Sequence, residues 1–494
     1  MRIWIKGFRR TQWQSSLAST LMTLALSGMA GVGAVIAARA VSDTIPIPVL
    51  LIALLSIAPL AILAWTHFDL FAFLAFATLG IVKWEPAPVD LLITFLLGLG
   101  LLAGRLSLES LRGSSLIHTG CWIFATLNLV ALLVADDLGY SLRYAAITFY
   151  LIALSYFVKL YVTSFERMRL LMLGYVGGAA ASVLLVGLEM SSLLPTSEVF
   201  VFENRARALF KDTNVFAPFL ILPIVFLIDE LIRPRLIRRG YWLKIAAIAA
   251  LSSGVFLSFS RAAWANLILS VTIYVLLMLP SLSVRQWLQL LLPGISGGVL
   301  LLVLVVQLEL RGFLRSRATL VQSYDVDRFS TQAEGIEAGL SHLFGIGPGM
   351  LFNAHSLYVR TFAEYGIFGL VTLLALILAL VGGSLRRAPG SNDRVYGLSS
   401  RVVVACWIGL LLNSVVIDTI HWRYFWVMFA LGWIMTFPST ASARGSAAAG
   451  EDSGAFVIGK ETLFVWESGA PPGLPAEERS PRRNTRTGAA RSRV

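Results

Sequence analysis

Apolar runs close to twenty residues long recur along most of the chain, separated by short polar breaks. A run of that length lets a helix cross the ~30 Å hydrocarbon core of a bilayer with its backbone hydrogen bonds satisfied internally. The pattern predicts up to fourteen crossings, at 17–38, 47–65, 69–83, 88–105, 116–135, 143–162, 169–189, 214–232, 242–259, 262–279, 288–309, 357–382, 401–418 and 423–438. The 69–83 run is short and also reads as half of a re-entrant hairpin, which lowers the count to twelve or thirteen. The expected fold class is an all-α polytopic membrane protein of about 12–14 transmembrane helices, with a long loop carrying short surface helices. The first run, "LASTLMTLALSGMAGVGAVIAA", is long enough to span and is followed by more, so it reads as a span and not as a cleaved signal peptide.

The breaks carry the topology. Arg2, Lys6, Arg9 and Arg10 precede the first run. Counting alternately from there, one set of loops holds Arg105 and Arg112; Arg167 and Arg169; Arg233, Arg235, Arg238 and Arg239; and Arg386, Arg387 and Arg394. The short loops of the other set, "SDTIP", "KWEPAPVD" and "ADDLGY", are mostly acidic or neutral. The positive-inside rule then places both termini in the cytoplasm.

Composition agrees. The chain is 57% hydrophobic and only 14% charged, against about a quarter charged for a soluble domain. The net charge of +12 follows from topology-setting basic residues and does not call for a nucleic-acid partner. Cys121 and Cys406 lie inside apolar runs and read as small buried residues. After Pro438 the chain turns rich in Ala, Gly, Ser, Pro and Arg, so 441–494 is expected to be a disordered basic cytoplasmic tail near anionic lipid.

Polar chemistry gathers in two long segments on the outer side, 191–220 and about 311–354. Loops of that length are uncommon without a function. Within the second, 327–344 has helical spacing with Phe329, Ile336, Leu340 and Phe344 on one side, as expected of a helix at the membrane surface. Arg205, Arg207 and Lys211 on the first segment, and Arg311, Arg315, Arg317 and Arg328 on the second, break the positive-inside trend. Two readings stand: an anionic ligand such as a diphosphate, which suits the forked guanidinium, or headgroup contacts and local ion pairs with Glu203, Asp212, Asp325 and Asp327. Arg261 lies in "SFSRAAW", between two spans with almost no loop, and is pinned at the outer surface. It reads as an inward-facing functional arginine, with a snorkelling arginine as the alternative.

The remaining candidate is His355. If a helix starts near Asn353 and runs straight, Phe362, Gly366 and Gly369 fall within about 40° of His355 on one face, and the glycines admit a close neighbour. Glu364 then points away from His355. A capping or interfacial histidine is the plain alternative. His67, His118, His342 and His421 form no ligand spacing, and "GIGPG" lacks the Lys-Ser/Thr of a phosphate-binding loop.

His355-Ser356, nine residues, Gly366, Ile367-Phe368 and Gly369 match the pattern of the bacterial O-antigen ligases. "SFSRAAW", "NRARALFKDTNVFAPFL" and "HLFGIGPGM…AHSLY" also look like that superfamily's segments, in its order. The chain thus resembles the O-antigen ligase and polymerase superfamily over about 190–440, with 1–190 as generic N-terminal spans and a periplasmic loop at 311–355. Where that family has a glycine in its RxxGxF pattern, this chain has Ala208, and both Arg205 and Arg207 stand as the functional arginine.

The resemblance implies an inner-membrane glycosyltransferase with its active site at the periplasmic face. It would move a glycan from undecaprenyl diphosphate to the hydroxyl of a lipid A-core or similar acceptor. His355 would be the base, and Arg261 with Arg205 would act on the departing diphosphate. Arg207, Lys211, Arg328 and Tyr358 would contact substrate, with Gly366 and Gly369 structural. A lipid diphosphate leaves readily, so no cofactor or metal is implied. The alternatives are an O-antigen or exopolysaccharide polymerase of the same architecture, and a transporter of a lipid-linked sugar.

Overall fold

The structure, a computed structural model, describes residues 61–194, 199–281, 323–351, 354–390 and 392–438, with Pro59 and scattered positions between 283 and 303. The predicted span 17–38, most of 47–65 and 288–309, Arg311, Arg315, Arg317 and the tail 441–494 lie outside the described residues.

The remaining apolar runs form helices. They are α1 (Phe68–Ala77), α2 (Pro88–Leu102), α3 (Ser115–Leu132), α4 (Leu138–Tyr161), α5 (Phe165–Met190), α6 (Thr213–Phe219), α7 (Ile221–Ile232), α8 (Tyr241–Leu257) and α9 (Arg261–Met278). They continue with α10 (Ser323–Ser341), α11 (Leu357–Arg387), α12 (Ser400–Val416) and α13 (Arg423–Thr436). Two short hairpins, β1–β2 (Val201–Phe202, Arg205–Ala206) and β3–β4 (Arg394–Val395, Leu398–Ser399), are the strands among the described residues. By length and composition, six segments can cross a membrane: α3, α4, α5, α6 with α7, α9 and α11. The protein is therefore a mostly helical, multi-pass membrane protein.

Side-chain caps start several of these helices. Asp137, Ser164, Asp212 and Ser399 each accept a backbone N–H in the first turn of α4, α5, α6 and α12. The α6–α7 stretch is the innermost, buried nearly all round. Around it α9 packs on α12, α11 on α3, α12 and α13, and α4 on α13. Helix α1 lies against α5 through Gly174 and Gly178, where a Cβ would sit 2.7 and 2.2 Å from the carbonyl oxygens of Phe73 and Ala77. Apolar side chains such as Trp122, Leu184, Ile268 and Leu378 point outward from the bundle, as lipid-facing residues do.

Charge is held at the two ends of the bundle. At one end Asp229 and Glu230, both fully buried, close α7. Asp229 accepts from Tyr274 Oη, Arg233 and Arg394, each at 2.8 Å, and Arg233 continues to Asp393 at 3.0 Å. Glu230 accepts the backbone N–H groups of Arg235, Leu236 and Ile237, which folds the loop after α7. Every buried carboxylate here has a cation or N–H donors, so the cluster joins 229–237 to 393–401 without leaving a bare charge. The other end carries His355.

Candidate functional site

His355 lies just before α11, whose N-cap is Ser356. Its φ is +46°, in the left-handed region that a non-glycine residue enters only at a cost. The conformation is pinned from outside, because Gln332 of α10 donates to the His355 carbonyl at 3.3 Å. The imidazole is half-buried and faces charge from three elements: Arg328 of α10, Asp212 at the start of α6, and Asp418 before α13. Burial and Arg328 hold its pKa below the usual 6.5, while the two aspartates oppose them. The ring is therefore neutral near pH 7, as a proton acceptor must be.

The two arginine segments meet at the same end of the bundle, one link away through Asp212. Glu203 and Asn204 turn the β1–β2 hairpin with both φ values positive, which fits the twist of a two-residue hairpin. The Glu189 carboxylate anchors the hairpin by accepting the N–H groups of Phe200 and Val201. From β2, Arg205 Nε donates to the Ser258 carbonyl at 3.0 Å and its other arm reaches Asn214 Oδ1 at 3.4 Å. Asn214 in turn donates to Asp212. Ser258 belongs to the Ser258-Phe259-Ser260 turn between α8 and α9, and the half-buried Arg261 is the first residue of α9. Arg205 thus reaches the turn that carries Arg261. Arg207 does not: its guanidinium stacks 4.6 Å over the Phe202 ring, and its Nε donates to the Val199 carbonyl at 3.4 Å.

Two expected substrate contacts are already engaged. Lys211 pairs with Glu85, which also binds Arg143 at 2.9 Å. Burial raises the Glu85 pKa, but these two cations outweigh it and hold the carboxyl below its ordinary range. Tyr358 Oη donates to the Leu411 carbonyl at 2.9 Å and so ties α11 to α12.

The straight helix from Asn353 through Gly369 does not form. Helix α11 starts at Leu357 and is interrupted at Gly366, where φ is 67° and ψ −171°. His355, Gly366 and Gly369 therefore share no helical face. The glycine admits a loop, not a helix: a Cβ on Gly366 would lie 2.0 Å from the Leu343 carbonyl oxygen. The break frees the Ala363 and Glu364 carbonyls, which accept from the N–H groups of Ile346 and Gly347 at 2.9 and 3.2 Å. "GIGPG" is thus a packing loop, with Gly345, Gly347 and Gly349 all at positive φ against neighbouring atoms. Residues 367–387 still measure ~31 Å along the axis, enough to span alone.

Between His355 and the break lies a buried charge cluster that the hydrophobic pattern did not single out. Arg360 binds Glu364 and Asp418, and its guanidinium lies 5.4 Å from the Tyr144 ring centroid. Glu364 Oε1 also accepts the Leu351 N–H at 3.3 Å. His421 Nε2 faces Thr148 Oγ1 at 3.3 Å. Burial, Arg360 and Arg423 push the His421 pKa to about 3, against Asp418, so it is too weak a base to compete with His355. The signal was present in the sequence: Arg360 and Glu364 stand four apart in an apolar helix, and charges there require partners.

The site offers a neutral imidazole facing Arg328, Asp212 and Asp418, with Arg205 linked to Asp212 through Asn214, so a group able to take a proton shares this end of the bundle with cations that suit an anion. Among the described residues no three His, Cys, Asp or Glu side chains converge as a metal site. No family model matches the chain, and no curated protein matches it in sequence.

Proposed function

We propose that the protein is an O-antigen ligase-like glycosyltransferase of the bacterial inner membrane, with 12–14 crossings, cytoplasmic termini and the His355 end at the periplasmic face. The observation that carries this reading is the contact of Arg205 with the turn before Arg261, at the end of the bundle where His355 lies. It joins the segments "NRARALF" and "SFSRAAW" that the resemblance pairs. A second observation supports it. Ala208, which stands where the family has glycine, has φ +48°, the conformation a glycine would supply.

In the proposed reaction the acceptor hydroxyl gives its proton to His355. Its oxygen forms a bond to the anomeric carbon of the lipid-linked glycan. The bond from that carbon to the diphosphate breaks, the electron pair leaves with the diphosphate, and the anomeric centre inverts. Arg205 and Arg261 stabilise the departing charge.

The test is transfer by purified protein in nanodiscs with an undecaprenyl-diphosphate-linked donor. His355→Ala should lower the rate by 10²–10⁴, as loss of a general base does. Arg205→Gln should lower it by about 10²–10³, as loss of an oxyanion donor does, and Arg207→Gln by far less. Full activity of His355→Ala would refute the mechanism. Product length separates a ligase from a polymerase, and movement of unaltered lipid across proteoliposomes would point to a transporter.

A further inference from the structure

A second concavity at the His355 end is not used by the proposed transfer chemistry. A cleft of about 420 Å3 opens between the start of α4, α10 and the 349–351 stretch, lined by Asp137, Tyr140, Thr331, Glu334, Met350 and Leu351. Its side chains are held in place from behind. The Tyr140 ring lies 4.9 Å from that of Tyr144, with the two hydroxyls 3.3 Å apart. Tyr144 is backed in turn by Gly349, where a Cβ would come within 2.4 Å of the ring, and by Arg360. Asp137 caps α4 by accepting the Tyr140 N–H at 2.9 Å.

Helix α10 is fixed against α11 because Gly335 and Gly339 pack on Val359 and Phe362. At 100° per residue, Glu334 then falls on one side of that contact and the exposed Phe329, Ile336 and Leu340 on the other. The apolar side is free to meet lipid while Glu334 borders the cleft.

Among the described residues the lining contains two carboxylates, an exposed tyrosine and a hydroxyl, and no cation. Arg143, one turn on from Tyr140, is turned to Glu85. A phosphate or diphosphate would be repelled here, in contrast to the Arg205–Arg261 side. A purely apolar ligand would strand the carboxylates. The matching ligand has an apolar C–H face for a tyrosine ring and adjacent hydroxyls for carboxylate acceptors, which describes a pyranose. We infer that this cleft binds a neutral saccharide ring of a glycan handled at the site. Which glycan it is, acceptor or donor, rests on the proposed transferase function; the binding itself does not.

The experiment is saturation-transfer NMR on the full-length protein in nanodiscs, with maltohexaose, cellohexaose, chitohexaose and a heparin hexasaccharide as probes. At least one neutral hexasaccharide should bind, and Tyr140→Ala and Glu334→Gln should each weaken it at least fivefold, while His355→Ala leaves it unchanged. Absence of binding by every neutral probe, unchanged binding in both variants, or preference for heparin would overturn the inference. In transfer assays the same two variants should raise KM for one substrate: for the acceptor if the cleft holds the acceptor, for the donor if it holds the donor glycan. Activity of His355→Ala alongside intact saccharide binding would sink the transferase mechanism and leave the cleft standing.

Discussion

Arg360 Nε donates to Glu364 Oε1 at 2.8 Å across one helical turn, with neither side chain more than 2% exposed. Asp418 takes the other arm of the guanidinium and the Leu351 N–H shares the Glu364 oxygen. One cation therefore connects α11, the loop before it and the loop after α12, the three pieces of chain that flank His355. Removing one partner of a buried ion cluster costs about 3–5 kcal/mol, because the others stay charged and uncompensated. Arg360→Met should lower the thermal midpoint of the detergent-solubilised protein by that equivalent. Arg360→Lys should also lose stability, since an ammonium cannot span both carboxylates with a planar fork. A midpoint unchanged in Arg360→Met would mean that the cluster does not hold the site together.

The break at Gly366 yields a second prediction. An alanine there must adopt φ +67° and place its Cβ 2.0 Å from the Leu343 carbonyl oxygen. With ψ at −171° this is a backbone region essentially reserved for glycine, which costs an alanine about 1–3 kcal/mol, and the clash with backbone adds more. Gly345→Ala meets the Glu364 carbonyl oxygen at 2.3 Å with the same sign of effect. Gly177→Ala, a helical position with no atom within 4 Å, should instead stabilise by up to about 1 kcal/mol. Melting curves of the three variants test whether the loop and the broken helix depend on glycine.

Most helices were legible because hydrophobic runs of spanning length are a local signal and their ends coincide with caps such as Asp137, Ser164 and Ser399. The interruption of α11 was not, because what stabilises it, the N–H groups of Ile346 and Gly347, lies about twenty residues upstream. Helical periodicity continued straight through Gly366 puts His355 on a face that does not exist. Arg205 and Arg207 could not be separated either. They stand two apart, so an extended strand puts them on the same side; it is the hairpin register and the left-handed turn at Ala208 that part them. Asp229 and Glu230 hid at the end of a predicted span, where the cation they share, Arg394, is remote in sequence.

Ala208 offers a test of opposite sign. It is fully buried at φ +48° with its N–H on the Phe200 carbonyl. Replacement by glycine relieves about 1–2 kcal/mol of left-handed strain and gives up about 0.8 kcal/mol of methyl burial. Ala208→Gly should therefore be neutral or mildly stabilising, up to about 1 kcal/mol. Ala208→Val, β-branched in the same conformation, should destabilise by more than about 2 kcal/mol and release the turn that follows Arg207. Equal melting of the two variants would remove the backbone argument at this position.

Burial and Arg328 lower the His355 pKa beneath the usual 6.5, and Asp212 and Asp418 partly offset them. Protonation then favours the unfolded chain. The stability contributed is present above the unfolded value near 6.5 and is lost as pH falls through the lower folded value. Activity follows the same direction, since only neutral imidazole accepts the acceptor's proton. The acid limb of kcat/KM should accordingly lie below pH 6.5. Two substitutions move it in opposite senses. Arg328→Gln removes a cation and should shift the limb to higher pH. Asp212→Asn removes an anion, keeps a capping oxygen for α6, and should shift it to lower pH. A structural contact without a role at the base would leave the limb where it is in both variants, and displacement in one shared direction would contradict the charge arrangement around His355.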